Sequence, residues 1–323
     1  MNRAVLFTIL LCALVPVATA AENYPVKPIR IVSPFLPGGP NDVISRIIGA
    51  YLFESSGHPA IVDNRAGANG IIGNDIVAKA APDGYTVLVN SGSMTINAHV
   101  YRKLPYDLKR DFRGVSMVAA PAGLVLVTAP TSGIKTFKEL LTQAKQKPGQ
   151  VIFGSPGAGS ALELAGELIG TLAGVQITEV PYKGFAPALT DLIGGRIHGT
   201  IISTVSVLPQ IQAGKLIALG QTGLTREASL PNVPTMVEEG LAGFDITGWF
   251  GVWVPARTPN VVVQKLSSEI ARVLALPEVR ARYAALGVEP KSSTPADFEA
   301  FVRDDFERIG RYVKLVNKAQ IDQ

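Results

Sequence analysis

The feature that most constrains this chain is a unit that recurs along it: a short aliphatic run, a turn rich in glycine, proline or serine, then an amphipathic helix. Lys27–Ser33 is the first such run, with Ile29, Ile31 and Val32 apolar, and it leads into Pro34-Phe35-Leu36-Pro37-Gly38-Gly39. Pro40 then stands where a helix has no use for an N–H. Val43, Ile44, Ile47, Ile48, Tyr51 and Leu52 follow at helical spacing. Ala60–Asp63 and Tyr85–Val89 read as two further strands, with a helix over Ile71–Ala80 and the turn Pro82-Asp83-Gly84 between them. Strands joined through helices run parallel, so this βαβαβ pattern predicts a mostly parallel sheet covered by helices.

The pattern then repeats. Helices are expected around Phe137–Ala144, after Ser160 and over Pro187–Ile193. Strands are expected at Val151–Phe153, Ile177–Val180, Ile197–Ile202 and Leu216–Leu219. Beyond them lie a strand at Gly248–Pro255, a helix over Asn260–Leu274, and a last helix. The last one is opened by Thr294-Pro295-Ala296-Asp297, which has the form of a capping box. At 323 residues with 47% hydrophobic content, two α/β units with sizeable cores are affordable in one chain.

Met1–Ala20 reads as a secretory leader. Arg3 precedes an uncharged apolar stretch from Val5 to Val15, and Ala18-Thr19-Ala20 offers a small-x-small cleavage site. The expected protein is therefore exported, with cleavage near Ala20. The one cysteine, Cys12, lies in that leader, so neither disulfides nor a cysteine zinc site is expected. The three histidines, His58, His99 and His198, share no metal-ligand spacing. With 30 Lys and Arg against 26 Asp and Glu and no basic block, nucleic acid is not an expected partner.

Several catalytic and cofactor signatures are approached and missed around Gly154-Ser155-Pro156-Gly157-Ala158-Gly159-Ser160. Ser160 stands where a phosphate loop needs lysine, and Leu162 takes the third glycine position of a dinucleotide fingerprint. Phe153 replaces the first glycine of a nucleophile elbow around Ser155. A secreted hydrolase would need His198 beside Ser155 or Ser160 as its base. No cofactor and no enzymatic activity are expected. What survives is a glycine-rich turn opening a helix, which directs backbone N–H groups at an anion.

Pro37-Gly38-Gly39 has the same character. Ser91 and Ser93, with Asn97, follow the third strand, and Pro181-Tyr182-Lys183-Gly184 follows a later one. In open α/β sheets ligands sit outside the carboxyl ends of the strands, and all these turns lie at such ends. Two units presenting amides and hydroxyls from that edge predict one ligand held in a cleft between them.

Taken in order, these segments resemble the Bug/TctC family of extracytoplasmic solute receptors of tripartite tricarboxylate transporters. The resemblance rests on Tyr24-Pro25-x-Lys27-Pro28-Ile29, Pro37-Gly38-Gly39-x-x-Asp42 and Asn64-Arg65-x-Gly67-Ala68-x-Gly70-x-x-Gly73. It continues through Pro82-Asp83-Gly84-Tyr85-Thr86, the Gly154–Ser160 turn, Pro181-Tyr182-Lys183-Gly184 and Gln212-Ala213-Gly214-Lys215-Leu216, from Tyr24 to the last helix. It implies a two-domain periplasmic-binding fold of type II-like architecture. Each domain is then a mostly parallel sheet flanked by helices, and the chain crosses near Val127–Pro130 and near Phe244–Trp249. The expected division is residues 21–127 with 249–323 against residues 128–248.

The resemblance further implies a monomer that binds a small organic anion, a carboxylate, and delivers it to membrane transporter subunits. A receptor presenting ligand to a membrane kinase is the alternative partner. Carried onto this sequence, the ligand-binding candidates in the first unit are Phe35, Pro37, Gly38, Gly39, Asp42, Ser91, Ser93 and Asn97. In the second they are Ser155, Gly159, Ser160, Lys183, Gly184 and Ser203. This chain has His198 and Ile202 where relatives often carry acidic residues, which predicts a different ligand preference. Arg65 is expected to partner nearby carbonyls or Asp63, and Trp249 and Trp253 to serve core or hinge packing.

Overall fold

The computed structural model describes residues 24–54, 57–155, 159–182, 185–286, 288–318 and 320–321. The leader segment 1–20 lies outside the described residues. The chain forms two sheets. The first unit opens with β1 Arg30–Ser33, α1 Pro40–Tyr51, β2 Ile61–Asn64, α2 Ile71–Ala78, β3 Thr86–Ser91 and α3 Ser93–Val100. The short α4, Leu108–Asp111, then leads into β4, Phe112–Ala122. The second unit runs β5 Leu124–Thr128, α5 Phe137–Gln146, β6 Val151–Ser155, α6 Ala161–Ala173, β7 Ile177–Pro181, α7 Phe185–Ile193, β8 Gly199–Ser203, α8 Thr204–Gln212 and β9 Ile217–Gln221. The chain then returns through β10 Gly248–Pro255, α9 Asn260–Ala275, α10 Pro277–Ala285, β11 Val288–Pro290 and α11 Pro295–Leu315.

The strand order is β11-β4-β10-β3-β1-β2 in the first sheet and β7-β6-β8-β5-β9 in the second. β1 pairs parallel with β2 and β3, and β6 pairs parallel with β7 and β8, as expected of helix-linked strands. β10 is antiparallel to β3 and β4, and β5 is antiparallel to β8 and β9. These two antiparallel strands are the ones that follow the crossings between sheets.

The connectivity fixes how the sheets face. Only Gly123 separates β4 from β5, so the carboxyl end of β4 abuts the amino end of β5. Because β5 runs against its neighbours, that end lies with the carboxyl ends of β6 and β8. The carboxyl edges of the two sheets therefore point at each other across the crossing. This first crossing falls at Gly123, ahead of the expected Val127–Pro130. Phe112–Thr128 is a mostly apolar stretch in which Pro121 and Gly123 are the sole local marks of the change of sheet. The return passes between Phe244 and Gly248: Phe244 and Ile246 pack in the core of the second sheet, while Trp249 packs in that of the first.

Both sheets are filled on both faces, which explains their aliphatic strands. In the first, Ile31, Val87, Val89 and Val252 point to one core with α1 and α9, while Val32, Leu88, Trp249 and Trp253 point to the other. In the second, Leu126, Phe153 and Ile201 alternate with Val125, Val127 and Ile202 in the same way. Trp249 and Trp253 are each 2% exposed and stack around Phe298 of α11, as the sequence predicts. Arg65 pairs with Asp63 at 3.0 Å, also as predicted.

The fold extends beyond the sequence reading at α3, β4, β5, α8, α10 and β11. The core also crosses between units. Ile96 and Val100 of α3 and Ile309 and Val313 of α11 pack in one cluster with Leu164 and Leu168 of α6.

Candidate functional site

At the carboxyl edge of the first sheet, β1 runs out into the exposed Pro37-Gly38 turn ahead of α1. Gly38 sits at φ +84°, a conformation that glycine adopts without strain. Its N–H donates to Asp42 Oδ2 at 2.9 Å. Asp42 is buried on the helix and also accepts from Asn64 Nδ2 at 2.9 Å and pairs with Arg46 at 3.0 Å. Burial alone would raise this carboxyl, but the hydrogen bonds from Arg46, Gly38 and Asn64 outweigh it and hold it below the usual carboxylate range. Asp42 is thus saturated by the protein and shapes the turn. Phe35 is half-buried beside Gly70 and its carbonyl accepts from Asn64, while Gly39 caps α1 through its backbone.

β3 ends in Ser91 and α3 begins at Ser93, with the two hydroxyls 3.2 Å apart. Ser93 Oγ donates to Asn90 Oδ1, which also accepts from Asn41 Nδ2. Asn90 in turn donates to Asn74, and Asn74 to the Tyr106 hydroxyl. This buried amide ladder holds the serines at the sheet edge. Asn97 is fully buried and both ends of its amide are committed to Asn69: Oδ1 accepts from Asn69 Nδ2 at 2.8 Å and Nδ2 donates to Asn69 O at 2.9 Å.

The second unit mirrors the first. Gly159, at φ +81°, precedes α6, and its N–H donates to Glu163 Oε2 at 2.9 Å. Ser160 is the N-cap of α6 and accepts from Glu163 N at 3.1 Å, which leaves its own O–H to donate. In both units a carboxylate four residues on claims the glycine amide that the sequence reading assigned to ligand. Ser155 is buried at the end of β6, and its hydroxyl bonds the Glu179 carboxyl of β7. Glu179 lies under α6, where a Cβ on Gly166 would collide with it, and its Oε2 is buried without a hydrogen-bond partner. Burial first, and then the charges of Glu163 and Glu167, push this carboxyl up to about 8. Ser203, at the end of β8, stands at the N-cap of α8 without making a side-chain capping bond. Lys183 and Gly184 lie outside the described residues.

The structure thus brings the Ser91, Ser93, Ser160 and Ser203 hydroxyls to the facing edges, where Ser91 donates to Ser93 and Ser93 to Asn90, while Ser160 keeps its proton to donate. Gly38, Asp42, Asn97, Ser155 and Gly159 act as supports with partners of their own. Asn69, Glu163 and Glu179 escaped the sequence reading. For Glu163 the signal was present, since Ser160-Ala161-Leu162-Glu163 is a capping-box spacing.

His198 does not lie where a hydrolase would need its base. Its Nδ1 accepts from Ile152 N at 3.2 Å, at the amino end of β6, whereas Ser155 ends that strand roughly 10 Å further along. It therefore neither serves Ser155 as a base nor faces the cleft, and Ile202 is buried in the core. Among the described residues no group of three His, Cys, Asp or Glu side chains could hold a metal ion. Among them, too, no helix is long and apolar enough to cross a membrane.

Known proteins place this geometry. The sequence profile of the tripartite tricarboxylate transporter family receptor, TctC, matches residues 44–318. Protein BugT of Bordetella pertussis is 37% identical over 297 residues, covering 91% of each chain. Among solved structures, an R. palustris protein with adipate superposes with TM-score 0.83 at 33% identity, covering 92% of this chain and all of that one. MatC from Rhodopseudomonas palustris with bound malate gives TM-score 0.77 at 28% identity, covering 90% of this chain and 100% of that one.

Proposed function

The chain belongs to the TctC receptor family, a family of solute-binding receptors rather than enzymes, and from that premise we propose that it captures a small dicarboxylate in the periplasm and hands it to a tripartite transporter in the membrane. The observation that carries the reading is the opposition of the two carboxyl edges across Gly123. One edge brings the Ser91 and Ser93 hydroxyls, and the other brings Ser160 and Ser203. The Ser160 hydroxyl, whose proton is not used in capping, suits a carboxylate, because a charged acceptor strengthens its hydrogen bond, and the helix termini behind Ser93 and Ser160 favour negative charge. No bond is made or broken. The two units are domains that close over the ligand, with the crossings at Gly123 and at Phe244–Gly248 as the hinge.

The ligand class is drawn from adipate and malate in the solved relatives. The test is a thermal-shift panel of C4 to C6 dicarboxylates, with and without hydroxyl groups, against monocarboxylates and amino acids. A tight ligand raises the melting temperature by mass action. The expected result is stabilisation by at least one dicarboxylate, and a panel in which only amino acids or monocarboxylates stabilise removes the assignment. Retention of the ligand-loaded protein by the cognate membrane subunits, and by no kinase, tests the partner.

A further inference from the structure

Asn69 makes a contact that the receptor reading does not use. It lies in the turn before α2, at φ +49°, in the left-handed region that asparagine and glycine tolerate best. Its backbone carbonyl and side-chain Nδ2 are gripped by Asn97 of α3, which fixes the side chain. The same Nδ2 donates at 2.8 Å to Gly159 O, across the gap between the two units. An amide nitrogen carries two hydrogens, so one serves Asn97 and the other serves Gly159. Gly159 is equally prepared. Its N–H is held from its own unit by Glu163, and a Cβ there would lie 3.5 Å from Asn69 Nδ2 and 3.4 Å from the Tyr101 ring. Both partners are therefore preset on rigid supports, and neither needs to reorganise to meet the other.

We propose that Asn69 is a positioning residue that latches the two units in the closed form, holding Gly159 at the start of α6 against the first unit so that the adjoining Ser160 meets the bound anion. The inference rests on the receptor reading for the identity of that anion, but the latch itself concerns closure alone. Its contribution to affinity is a population effect: a variant without the bond shifts the open–closed equilibrium and weakens every ligand by the same factor.

The experiment is small-angle scattering, with the closed fraction of wild type, Asn69→Gly and Asn69→Asp measured both free and with adipate or malate. Asn69→Gly keeps the left-handed backbone and removes the donor. Asn69→Asp keeps the shape and sets a carboxylate against the Gly159 carbonyl. The expected result is an open-to-closed ratio raised roughly threefold to tenfold by glycine, as for one lost hydrogen bond, and further by aspartate. Equal closed fractions in all three proteins overturn the latch, as does a wild-type curve that is wholly open in every condition. Ligand-driven closure that ignores both substitutions overturns the latch and leaves the receptor reading standing. Opening by both substitutions with no response to either diacid keeps the latch and removes those diacids as ligands.

Discussion

At the scale of single residues, Ser160 carries two duties that substitution separates. As N-cap it satisfies the Glu163 amide, and as a hydroxyl donor it faces the cleft edge. Ser160→Ala should cost about 1 kcal/mol of stability through the lost cap, and about 1–2 kcal/mol of dicarboxylate affinity through the lost donor. Ser160→Asp should retain the cap and the stability while abolishing binding, because its carboxylate repels the ligand. Urea unfolding and calorimetry on the two variants check both. Should the aspartate variant bind as tightly as wild type, Ser160 is a cap alone. Glu179 makes a pH prediction. Burial, with Glu163 and Glu167 adding to it, raises its carboxyl to about 8, so the folded chain keeps a proton that the unfolded chain releases at an ordinary carboxyl pKa of about 4.3. Stability from this group is therefore full at low pH, falls as pH rises from about 4 to about 8, and is level above. Glu179→Gln should be more stable than wild type at pH 8 and equal to it at pH 4.5, by urea midpoints at the two pH values. The reverse order would mean that Glu179 is held as an anion. The positions of Ser91 at a strand end and Ser160 at a helix start were legible because serines at such junctions have a local signature. Glu179 and Asn69 were not, because their roles depend on what another segment brings against them.

At the scale of elements, the starts of helices were the most legible feature. Pro40, Ser160 and Thr294-Pro295 mark α1, α6 and α11 correctly, because capping is chemistry within four residues of sequence. Thr136 closes a full capping box with Glu139 on α5, and Thr294 accepts from Asp297 N at 3.1 Å on α11. Each threonine replaced by alanine should lower unfolding free energy by about 1 kcal/mol, with aspartate at the same position restoring most of it, read from urea midpoints. A null effect at Thr294 would mean that Pro295 alone fixes the helix start. The strands β4 and β5 were not legible. Buried on both faces, they lack polar alternation, and Gly123 between them reads as one more small residue. Its significance is tertiary: the Glu227 side chain, bonded to Thr204 at 2.8 Å, fills the space where a Cβ would stand. α3 was hidden for another reason. Its serine and asparagine turn reads as a loop, and Asn69 and Asn97 hold it by contacts distant in sequence.

At the scale of the whole molecule, the units are joined by more than their two crossings. α11 packs against α3 and β4 of the first unit and also against α6 of the second. Tyr312 donates its hydroxyl to Gly243 O at 2.7 Å, and Arg308 pairs with Asp245 at 2.6 Å. Just past α11, Lys318 reaches Glu163 at 2.9 Å and Glu167 at 2.6 Å, with its side chain only 9% exposed. That ammonium is the counter-charge to Glu163 and Glu167 of α6, and it also acts against the rise of the neighbouring Glu179 carboxyl. Glu167 shows the balance: burial raises its carboxyl and Lys318 pulls against that rise. Removing one partner of a buried pair leaves charge without compensation, which typically costs more than the pair contributes when intact. Lys318→Met keeps the stem and removes the charge, so it should destabilise the protein by roughly 3 kcal/mol at pH 7. At pH 4, where the Glu167 carboxyl that burial already raises takes up a proton, the loss should shrink to under about 1 kcal/mol. Urea unfolding at the two pH values decides the matter. An equal loss at both would assign Lys318 to packing of its aliphatic stem, and a loss confined to pH 7 makes it the counter-charge that lets α6 carry its acidic face into the join between the units.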